Sequence, residues 1–318
     1  MTVQPEISIC IPAYRNVTFV RRLLDSIAQQ TFSNYEIIVS DDSPDDSIAR
    51  LLPDYAFGEK IIYVKNTPSL GTPANWNAAI SHARGKWIKI MHHDDWLNGA
   101  DALQVFYDAT IAHSDASFFF AAFQNVVQDT GRKYIVRCNF FDRVFLKMSL
   151  LHLFKRVYVG NPSCTLVRRD ANILYDTRFK FVVDFEYYIR FIRTMKHYRY
   201  IDKILLNIGF HDEQVTRYTF LVAEVQIPEN CLLLEKFGAG ILRNPFVYDY
   251  YWRMLRNLGV RSLEDIRKHY QGELPSIFVK MLRFQCRFSL QVLRKGVLSK
   301  LLMSFSYCLS LFQGVRSR

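Results

Sequence analysis

The 318-residue sequence has no long uninterrupted apolar run and no clustered cysteines. A membrane-spanning helix needs about 20 predominantly apolar residues, and no charge-free stretch of that length occurs. The six cysteines are scattered without a Cys-x-x-Cys pair, which argues against a disulfide framework or a zinc site and favours a reducing cytosol. Residues 1–6 lack the basic and apolar segments of a signal peptide, so we expect a cytoplasmic protein.

Acidic residues are scarce toward the C-terminus. Residues 243–318 contain 14 Lys+Arg against 4 Asp+Glu, which accounts for +10 of the total charge of +11 and leaves +1 for the rest of the chain. Half of the residues are hydrophobic and 22% are charged, a composition that excludes general disorder. The positive charge therefore belongs to the last quarter of the chain and says little about the remainder.

The basic tail has a helical pattern. Its apolar stretches are interrupted at helical spacing by Lys280, Arg283, Arg287 and Arg294, as in a basic amphipathic helix that lies on an anionic membrane surface. The apolar segment 297–315 contains Lys300 and several serines, which favours lying on a membrane over spanning it. The alternative is a helical domain that packs on the rest of the protein. No recognised motif accompanies the charge, so nucleic acid is disfavoured.

Strands and helices alternate in the first two thirds of the chain. Short β-branched runs predict strands at 7–11, 36–40, 61–64, 87–91 and 117–123, with a helix capped by Thr18 and another over 74–83. This alternation predicts an α/β fold with a mostly parallel central sheet between helices. The pattern becomes helical after about residue 215, so we expect domains at 1–215 and 216–318.

Polar residues follow three of these strands at the point where each ends. They are Pro12-Ala13-Tyr14, Asp41-Asp42 and His93-Asp94-Asp95. Ligands bind beyond the carboxyl ends of parallel strands, and two adjacent carboxylates repel unless a cation or donors compensate. Carboxylate oxygens suit Mg²⁺ or Mn²⁺. A solvated loop that caps a helix is the alternative for an isolated Asp-Asp pair.

The sequence contains three notable segments in order: residues 9–16 (ICIPAYRN), 37–43 (IIVSDDS) and 85–97 (GKWIKIMHHDDWL). Together they resemble the family 2 glycosyltransferases of the GT-A fold, of the bacterial surface-polysaccharide type. The resemblance covers residues 5–215. It implies an enzyme that transfers a sugar from a nucleotide-diphospho-sugar to an acceptor hydroxyl with inversion, using Mn²⁺ or Mg²⁺. The helical pattern after about residue 215, beyond the resemblance, predicts a C-terminal helical extension of this fold.

The resemblance assigns roles to the strand-end residues. By position in the family motifs, Asp95 is the principal metal ligand and Asp94 leans toward the ribose or phosphate. The nucleobase is contacted by Pro12, Ala13, Tyr14 and Asp41.

Two further positions, Asn77 and His93, each have two possible roles. Asn77 ends a segment in which Trp76 replaces the arginine common in relatives, and it either contacts the nucleotide or packs its helix. His93 stands where the family often has an acid, and it either assists at the site or is structural.

The second half of the sequence supplies the predicted base. Asp184 and Glu186 precede an aromatic helix but cannot share one helical face, and the resemblance assigns Asp184 as the base, with helix capping as the alternative. His211 is either a metal or diphosphate contact or a structural residue. Arg217 is a further candidate phosphate contact.

The expected partners are the donor, a glycan or lipid-linked acceptor in surface-polysaccharide synthesis, and an anionic membrane reached through the C-terminal region. The enzyme would then be peripheral on the cytoplasmic face. Two other classes stay open: a noncatalytic nucleotide-sugar-binding or assembly module of the same fold, and a nucleotidyltransferase. The missing glycine-rich, lysine-containing N-terminal loop counts against the nucleotidyltransferase.

Overall fold

The computed structural model describes residues 4–170, 173–212 and 218–312. Within them one sheet is formed in the order β3-β2-β1-β4-β8-β6-β9-β5, with β7 paired to β6. The strands are β1 (Ile7–Ala13), β2 (Tyr35–Asp41), β3 (Ile61–Lys65), β4 (Trp87–Ile90), β5 (Trp96–Leu97), β6 (Phe118–Val127), β7 (Lys133–Val136), β8 (Thr165–Arg168) and β9 (Tyr198–Phe210).

The first four strands have the predicted parallel arrangement. β1 pairs in parallel with β2 and with β4, and β2 pairs in parallel with β3. Every residue of β1 and β2 is buried, as expected for strands covered on both faces. Ala13 lies opposite Asp41 in the register, so the predicted strand-end residues meet at one edge of the sheet.

The other side of the sheet is mixed, unlike the mostly parallel sheet that we predicted. β8 is antiparallel to β4 and β6, whereas β9 is parallel to β6 and antiparallel to β5. The long strand β9 escaped the sequence analysis because its first half alternates charged and apolar residues while its second half is a buried run. No single periodicity describes such a strand.

The α-helices in the described residues are α1 (Val17–Ala28), α2 (Ser47–Leu51), α3 (Ala74–Ser81), α4 (Ala102–Ala112), α5 (Phe140–Met148), α6 (Val183–Met195), α7 (Ala223–Phe237), α8 (Pro245–Asn257), α9 (Leu263–Arg267), α10 (Ser276–Gln285), α11 (Leu290–Leu293) and α12 (Gly296–Phe312). The predicted helical character after residue 215 is therefore confirmed over 218–312.

The cap of α1 differs from the prediction. Asn16, and not Thr18, is the N-cap residue, because its Oδ1 accepts the N–H of Phe19 at 3.1 Å. The buried side of α1 includes Val20, Leu23 and Ile27. These side chains join the hydrophobic core under β1 and β2, and Arg22 of the same helix donates to the Asp94 carbonyl at 2.6 Å, so α1 is held to the sheet by apolar packing and by polar contacts.

The chain divides into two compact units. The first comprises residues 1–140, 158–179 and 186–214, and the second comprises 141–157, 180–185 and 215–318. Both are assembled from separated segments, and the functional division at residue 215 stays a prediction. Among the described residues, none of the helices has both the length and the apolar character needed to cross a lipid bilayer.

Candidate functional site

Asp95 is the buried centre of a polar cluster that follows β4. It has no exposed surface, and its carboxylate accepts the Asn161 side-chain N–H at 2.7 Å on Oδ2 and the Gly209 N–H at 3.1 Å on Oδ1. Burial first, and the charge of Asp94 second, raise the pKa of Asp95 well above its usual range. A cation at this position would favour the charged carboxylate.

Asp94 is held beside it through different contacts. Its Oδ2 lies 2.9 Å from Nε2 of His211, and its backbone carbonyl accepts the Arg22 guanidinium at 2.6 Å. Burial acts to raise the pKa of Asp94, but the hydrogen bond with His211 and the neighbouring imidazoles hold that pKa below its usual range. The structure thus brings together Asp94, Asp95 and His211, three residues that are predicted as one site.

His92 completes a group with a metal-compatible set of atoms. One ligand atom each from His92, Asp94 and Asp95 lies within 4.8 Å of the others. Burial lowers the pKa of His92 to about 4, so its imidazole is neutral at pH 7, and its buried Nε2 has no hydrogen-bond partner in the described part of the chain. Two carboxylates and a neutral imidazole with a free nitrogen fit Mn²⁺ or Mg²⁺.

The sequence leaves His93 with two roles, either assisting at the site or structural. His93 is not part of this three-residue group in the described residues; its ring lies 6.2 Å from that of Phe19. Adjacent residues point in different directions in such a turn, so a His-His pair does not reveal from sequence which imidazole faces the carboxylates. His93 at the site stays a prediction.

Gly209 is required by the close approach of β9 to the Asp94 backbone. A Cβ atom at this position would overlap the Asp94 carbonyl oxygen. The same residue donates its N–H to Asp95. The contacts of Gly209 and Asn161 with Asp95 are not visible in the sequence, since each joins residues that are far apart in the chain.

A buried lysine interacts electrostatically with Asp95. Lys89 in β4 has no exposed surface, and its Nζ donates to the Ser163 carbonyl oxygen and lies 5.1 Å from the centroid of the Phe106 ring. Burial lowers the pKa of Lys89 to about 7, against the attraction of Cys164 and Asp95. A lysine inside an apolar strand pattern was the sequence signal that could have drawn attention to it.

Asp41 organises the loops at the ends of β2 and β3. It is fully buried, and its carboxylate accepts the Ser43 N–H at 2.8 Å, the Tyr63 hydroxyl at 2.8 Å and Lys65 Nζ at 3.3 Å. Those contacts occupy both carboxylate oxygens here. A contact from Asp41 to a nucleobase stays a prediction.

The segment after β1 offers an open aromatic ring. Tyr14 is 43% exposed, with the Arg15 guanidinium 4.8 Å from its ring centroid, whereas Pro12 and Ala13 are buried within the strand. A nucleobase can stack on such a ring, while Pro12 and Ala13 present only their backbone and small side chains.

Asn77 makes a pair of hydrogen bonds to backbone. Its amide donates to the Tyr175 carbonyl at 2.8 Å and accepts the Tyr175 N–H at 2.9 Å. This geometry favours the alternative in which Asn77 fixes α3 to the chain at Tyr175. The adjacent Trp76 packs against His92 in a tilted arrangement with ring centroids 4.7 Å apart, so it contacts the carboxylate cluster through that imidazole.

Asp184 belongs to the second unit and lies in the first turn of α6, which begins at Val183. Its Oδ1 is buried and has no hydrogen-bond partner in the described residues. Burial raises the pKa of Asp184 to about 7. A carboxyl group with this pKa can exchange a proton near neutral pH.

Glu229 of α7 fastens the backbone that leads to Asp184. Its carboxylate accepts the N–H groups of Lys180, Phe181 and Val182 at 2.8, 2.8 and 3.1 Å. No sequence signal connects residues so far apart in the chain. Glu229 thus sets the path of the backbone two residues before the predicted base.

The two remaining candidate site residues, Glu186 and Arg217, have different outcomes. Both Glu186 carboxylate oxygens pair with Arg190, at 2.8 and 3.2 Å, which gives Glu186 a structural ion pair on α6. Arg217 lies outside the described residues, so its phosphate contact stays a prediction.

The chain has clear relatives. It is 25% identical over 230 residues to an uncharacterized glycosyltransferase of Rickettsia typhi, covering 68% of this chain and 67% of the relative. It is 31% identical over 179 residues to an uncharacterized protein of Mycobacterium tuberculosis, covering 52% and 54%. The chain thus spans between half and two thirds of the length of these relatives.

Solved structures share the fold at low sequence identity. TarS 1-349 of S. aureus in complex with UDP-GlcNAc superimposes with a TM-score of 0.59 at 14% identity, covering 89% of this chain and 90% of that one. The same protein in complex with UDP gives a TM-score of 0.60 at 17% identity, covering 96% and 91%. The predicted GT-A fold is confirmed.

The profile of the family described as "Glycosyl transferase family 2" matches residues 8–174. That match takes in all three segments on which the resemblance was based, and it covers more than half of the 318 residues. The protein therefore belongs to glycosyl transferase family 2.

Proposed function

We propose that this glycosyltransferase moves a sugar from a nucleotide-diphospho-sugar to an acceptor hydroxyl with inversion at the anomeric carbon. The observation that carries the proposal is the Asp94–Asp95 pair that follows β4, in which Asp95 is buried and Asp94 is partly buried, with the neutral His92 imidazole in the same group. Two adjacent carboxylates, one of them without exposed surface, cost free energy unless a cation or hydrogen-bond donors compensate. At the strand-end edge of an α/β sheet they are placed to receive a ligand.

The donor would bind along this edge. Tyr14 offers its exposed ring to the nucleobase, beside Pro12, Ala13 and Asp41, and Asp94 faces the ribose or diphosphate. Asn77 is a weaker candidate, since its amide is engaged with Tyr175. TarS in the solved complex binds UDP-GlcNAc, which supports a nucleotide-diphospho-sugar as the proposed donor of this chain.

Asp95, Asp94 and His92 would hold the metal ion, with His211 bonded to Asp94 in support. A bound Mn²⁺ or Mg²⁺ supplies positive charge that stabilises the departing diphosphate. In this arrangement Asn161 and Gly209 orient the Asp95 carboxylate, and the buried Lys89 is close enough to Asp95 for the two groups to interact electrostatically.

Asp184 is proposed as the general base. It takes the proton of the acceptor hydroxyl while the hydroxyl oxygen forms a bond to the anomeric carbon. The bond from that carbon to the diphosphate oxygen breaks with its electron pair, and the nucleoside diphosphate leaves. Support comes from the buried, unpartnered Oδ1 of Asp184 and from its pKa of about 7.

The acceptor is proposed to be a glycan or lipid-linked oligosaccharide in cell-surface polysaccharide synthesis. The C-terminal region, with its net charge of +10, would hold the enzyme against the anionic cytoplasmic face of the membrane. Such a location would keep the enzyme next to a membrane-anchored acceptor and a cytoplasmic pool of nucleotide sugars.

The test is release of nucleoside diphosphate from a panel of nucleotide sugars in the presence of Mn²⁺ and candidate acceptors. Asp95→Asn should lower turnover about 10²–10³-fold, the scale of losing a group that supports developing charge. Asp184→Asn should lower kcat about 10²–10⁴-fold. Asp129→Asn, at an exposed loop position, is the control and should turn over like the wild type.

Wild-type turnover in either site variant would show that the assignment is wrong. Donor binding by calorimetry without turnover on any acceptor would support the alternative of a noncatalytic nucleotide-sugar-binding or assembly module.

A further inference from the structure

Helix α12 turns polar residues inward. Ser299 and Ser306 are both buried. Ser299 Oγ accepts the indole N–H of Trp252 at 3.0 Å, and Ser306 Oγ lies 2.7 Å from the Tyr248 hydroxyl. Both partners belong to α8 of the same unit. These two side-chain contacts, seven residues apart on one face of α12, fix the rotation of the helix about its axis.

A row of apolar side chains on the opposite side of α12 is open to solvent. Val297 is 79% exposed, Leu301 63%, Phe305 58% and Leu309 38%. The spacing of four residues places these side chains one above the other on a single face, which we call the outward face of α12. A helix packed on a water-soluble protein normally has its polar side out. The exposed apolar row and the buried serines of α12 are the reverse of that distribution.

Two basic side chains lie beside this face: Arg287, and Lys300 of α12 itself, whose Nζ pairs with Asp249 at 2.8 Å. Phe305 packs on Phe284 of α10 with ring centroids 5.9 Å apart, and the Arg287 guanidinium lies 5.8 Å from the centroid of Phe284. Residues 274–318 contain eight basic residues and no acidic one. The outward face of α12 combines exposed apolar side chains with basic side chains beside them. This combination is suited to binding a layer that has an apolar interior and a negatively charged surface.

We propose that the outward face of α12 lies in the headgroup–acyl boundary of an anionic lipid bilayer, with Arg287 at the phosphate level. This inference rests on the membrane association in the proposed function and assigns the surface that makes it. A 17-residue helix is about 25 Å long, and none of the described helices qualifies as a membrane span. A helix lying in the interface needs only one apolar face, which is what α12 has.

Anionic lipid is favoured over a second copy of this chain as the occupant because of charge. Two copies that met through this face would bring two regions of net charge +10 together, and such a contact is repulsive. An anionic bilayer would instead attract the same region.

The experiment uses the full chain and vesicles of phosphatidylcholine with or without phosphatidylglycerol. Wild-type protein should co-sediment with the anionic vesicles and stay in the supernatant with pure phosphatidylcholine. The double variant Leu301→Gln/Phe305→Gln should bind at least about 10-fold more weakly. Ile111→Gln, at a residue of α4 with the same 63% exposure as Leu301, is the matched control and should bind like the wild type.

An environment-sensitive probe on Cys308 reports where the helix lies. Cys308 is exposed, whereas the other cysteines are buried or partly buried, and it lies seven residues after Leu301 on the same side of α12. Its fluorescence should shift to the blue on anionic vesicles and be quenched by brominated acyl chains. Unchanged emission at saturating lipid would contradict the proposal.

Equal vesicle binding by the wild type and the Leu301/Phe305 variant would overturn the inference. So would concentration-dependent dimers, seen by ultracentrifugation without lipid, that the double variant dissociates while vesicles bind neither protein. Donor turnover with a soluble acceptor separates the two proposals: if it persists in the double variant and is lost in Asp95→Asn, a failure to bind vesicles refutes only the membrane face.

Discussion

Asp184 shows how one residue can serve activity at a cost in stability. Its pKa is raised to about 7 by burial, whereas an aspartate in an unfolded chain has a pKa of about 3.9. Between these values the folded protein binds the proton more tightly than the unfolded chain does, so this residue makes the folded state less stable as pH rises from about 4 to 7. The unpartnered Oδ1 is the physical origin of that cost.

We predict opposite pH effects on activity and on stability. As a base, Asp184 must be unprotonated, so kcat/KM of the wild type should rise through about pH 7. Asp184→Asn should lose that activity yet melt at a higher temperature than the wild type at pH 8, with a smaller difference at pH 5. Rate profiles and thermal denaturation at both pH values measure this. A lower melting temperature for the variant at pH 8 would mean that the buried carboxylate has a compensating partner.

At the level of elements, β9 closes the carboxylate cluster. Gly209 brings the strand against the Asp94 carbonyl and donates to Asp95, and His211 follows directly after the strand. One strand therefore positions both acids, although it begins more than 100 residues after them.

Gly209→Ala should force β9 away from the Asp94 backbone. We expect a loss of about 1–3 kcal/mol in the free energy of unfolding, the usual cost of an overpacked interior, together with a large drop in turnover. Gly240→Ala is the control, since a Cβ there meets nothing within 4 Å. Urea denaturation and initial rates measure both effects, and wild-type stability in Gly209→Ala would refute the close approach.

A second element, α7, controls the start of α6 through Glu229. Glu229→Gln replaces an acceptor of three backbone N–H groups by an amide whose NH₂ opposes them. We expect about 1–3 kcal/mol of destabilisation, faster amide exchange at 180–182 and a kcat about 10-fold lower with an unchanged KM for the donor. The exposed Glu224 of the same helix provides the control Glu224→Gln. Unchanged exchange at 180–182 would contradict the role assigned to Glu229.

Across the whole molecule, the net positive charge and the residues of the proposed donor site lie in different parts of the chain. The polar residues of the proposed donor site lie in a part of the chain with a net charge near +1, and the last quarter carries +10. The reversed helix α12 belongs to that last quarter. Location and catalysis are thus expected to respond to different conditions.

Salt should therefore weaken membrane binding. Raising ionic strength from 0.1 M to 1 M shortens the Debye length from about 10 Å to about 3 Å, which screens the basic region from anionic lipid. We expect co-sedimentation with phosphatidylglycerol vesicles to fall at least about 10-fold, with near-UV circular dichroism unchanged. Salt-independent binding would show that the charge plays no part in it.

The sequence alone determined the fold family and the first four strands. Buried strands that end in Pro12-Ala13-Tyr14, Asp41-Asp42 and Asp94-Asp95 carry their signal locally, because β-branched runs and polar strand ends are properties of neighbouring residues. The helical character after residue 215 was equally local. Periodicity and strand-end chemistry were sufficient for these features.

Only the tertiary structure decided which side chains complete the site. His92 joins Asp94 and Asp95 in one group of metal-compatible atoms, Asn161 and Gly209 orient Asp95, and Glu229 fastens the approach to Asp184. The outward face of α12 is also a tertiary fact, because its rotation depends on contacts with α8. Each of these features joins residues far apart in the chain or depends on the direction in which a side chain points. A local sequence pattern encodes neither long-range contacts nor side-chain directions.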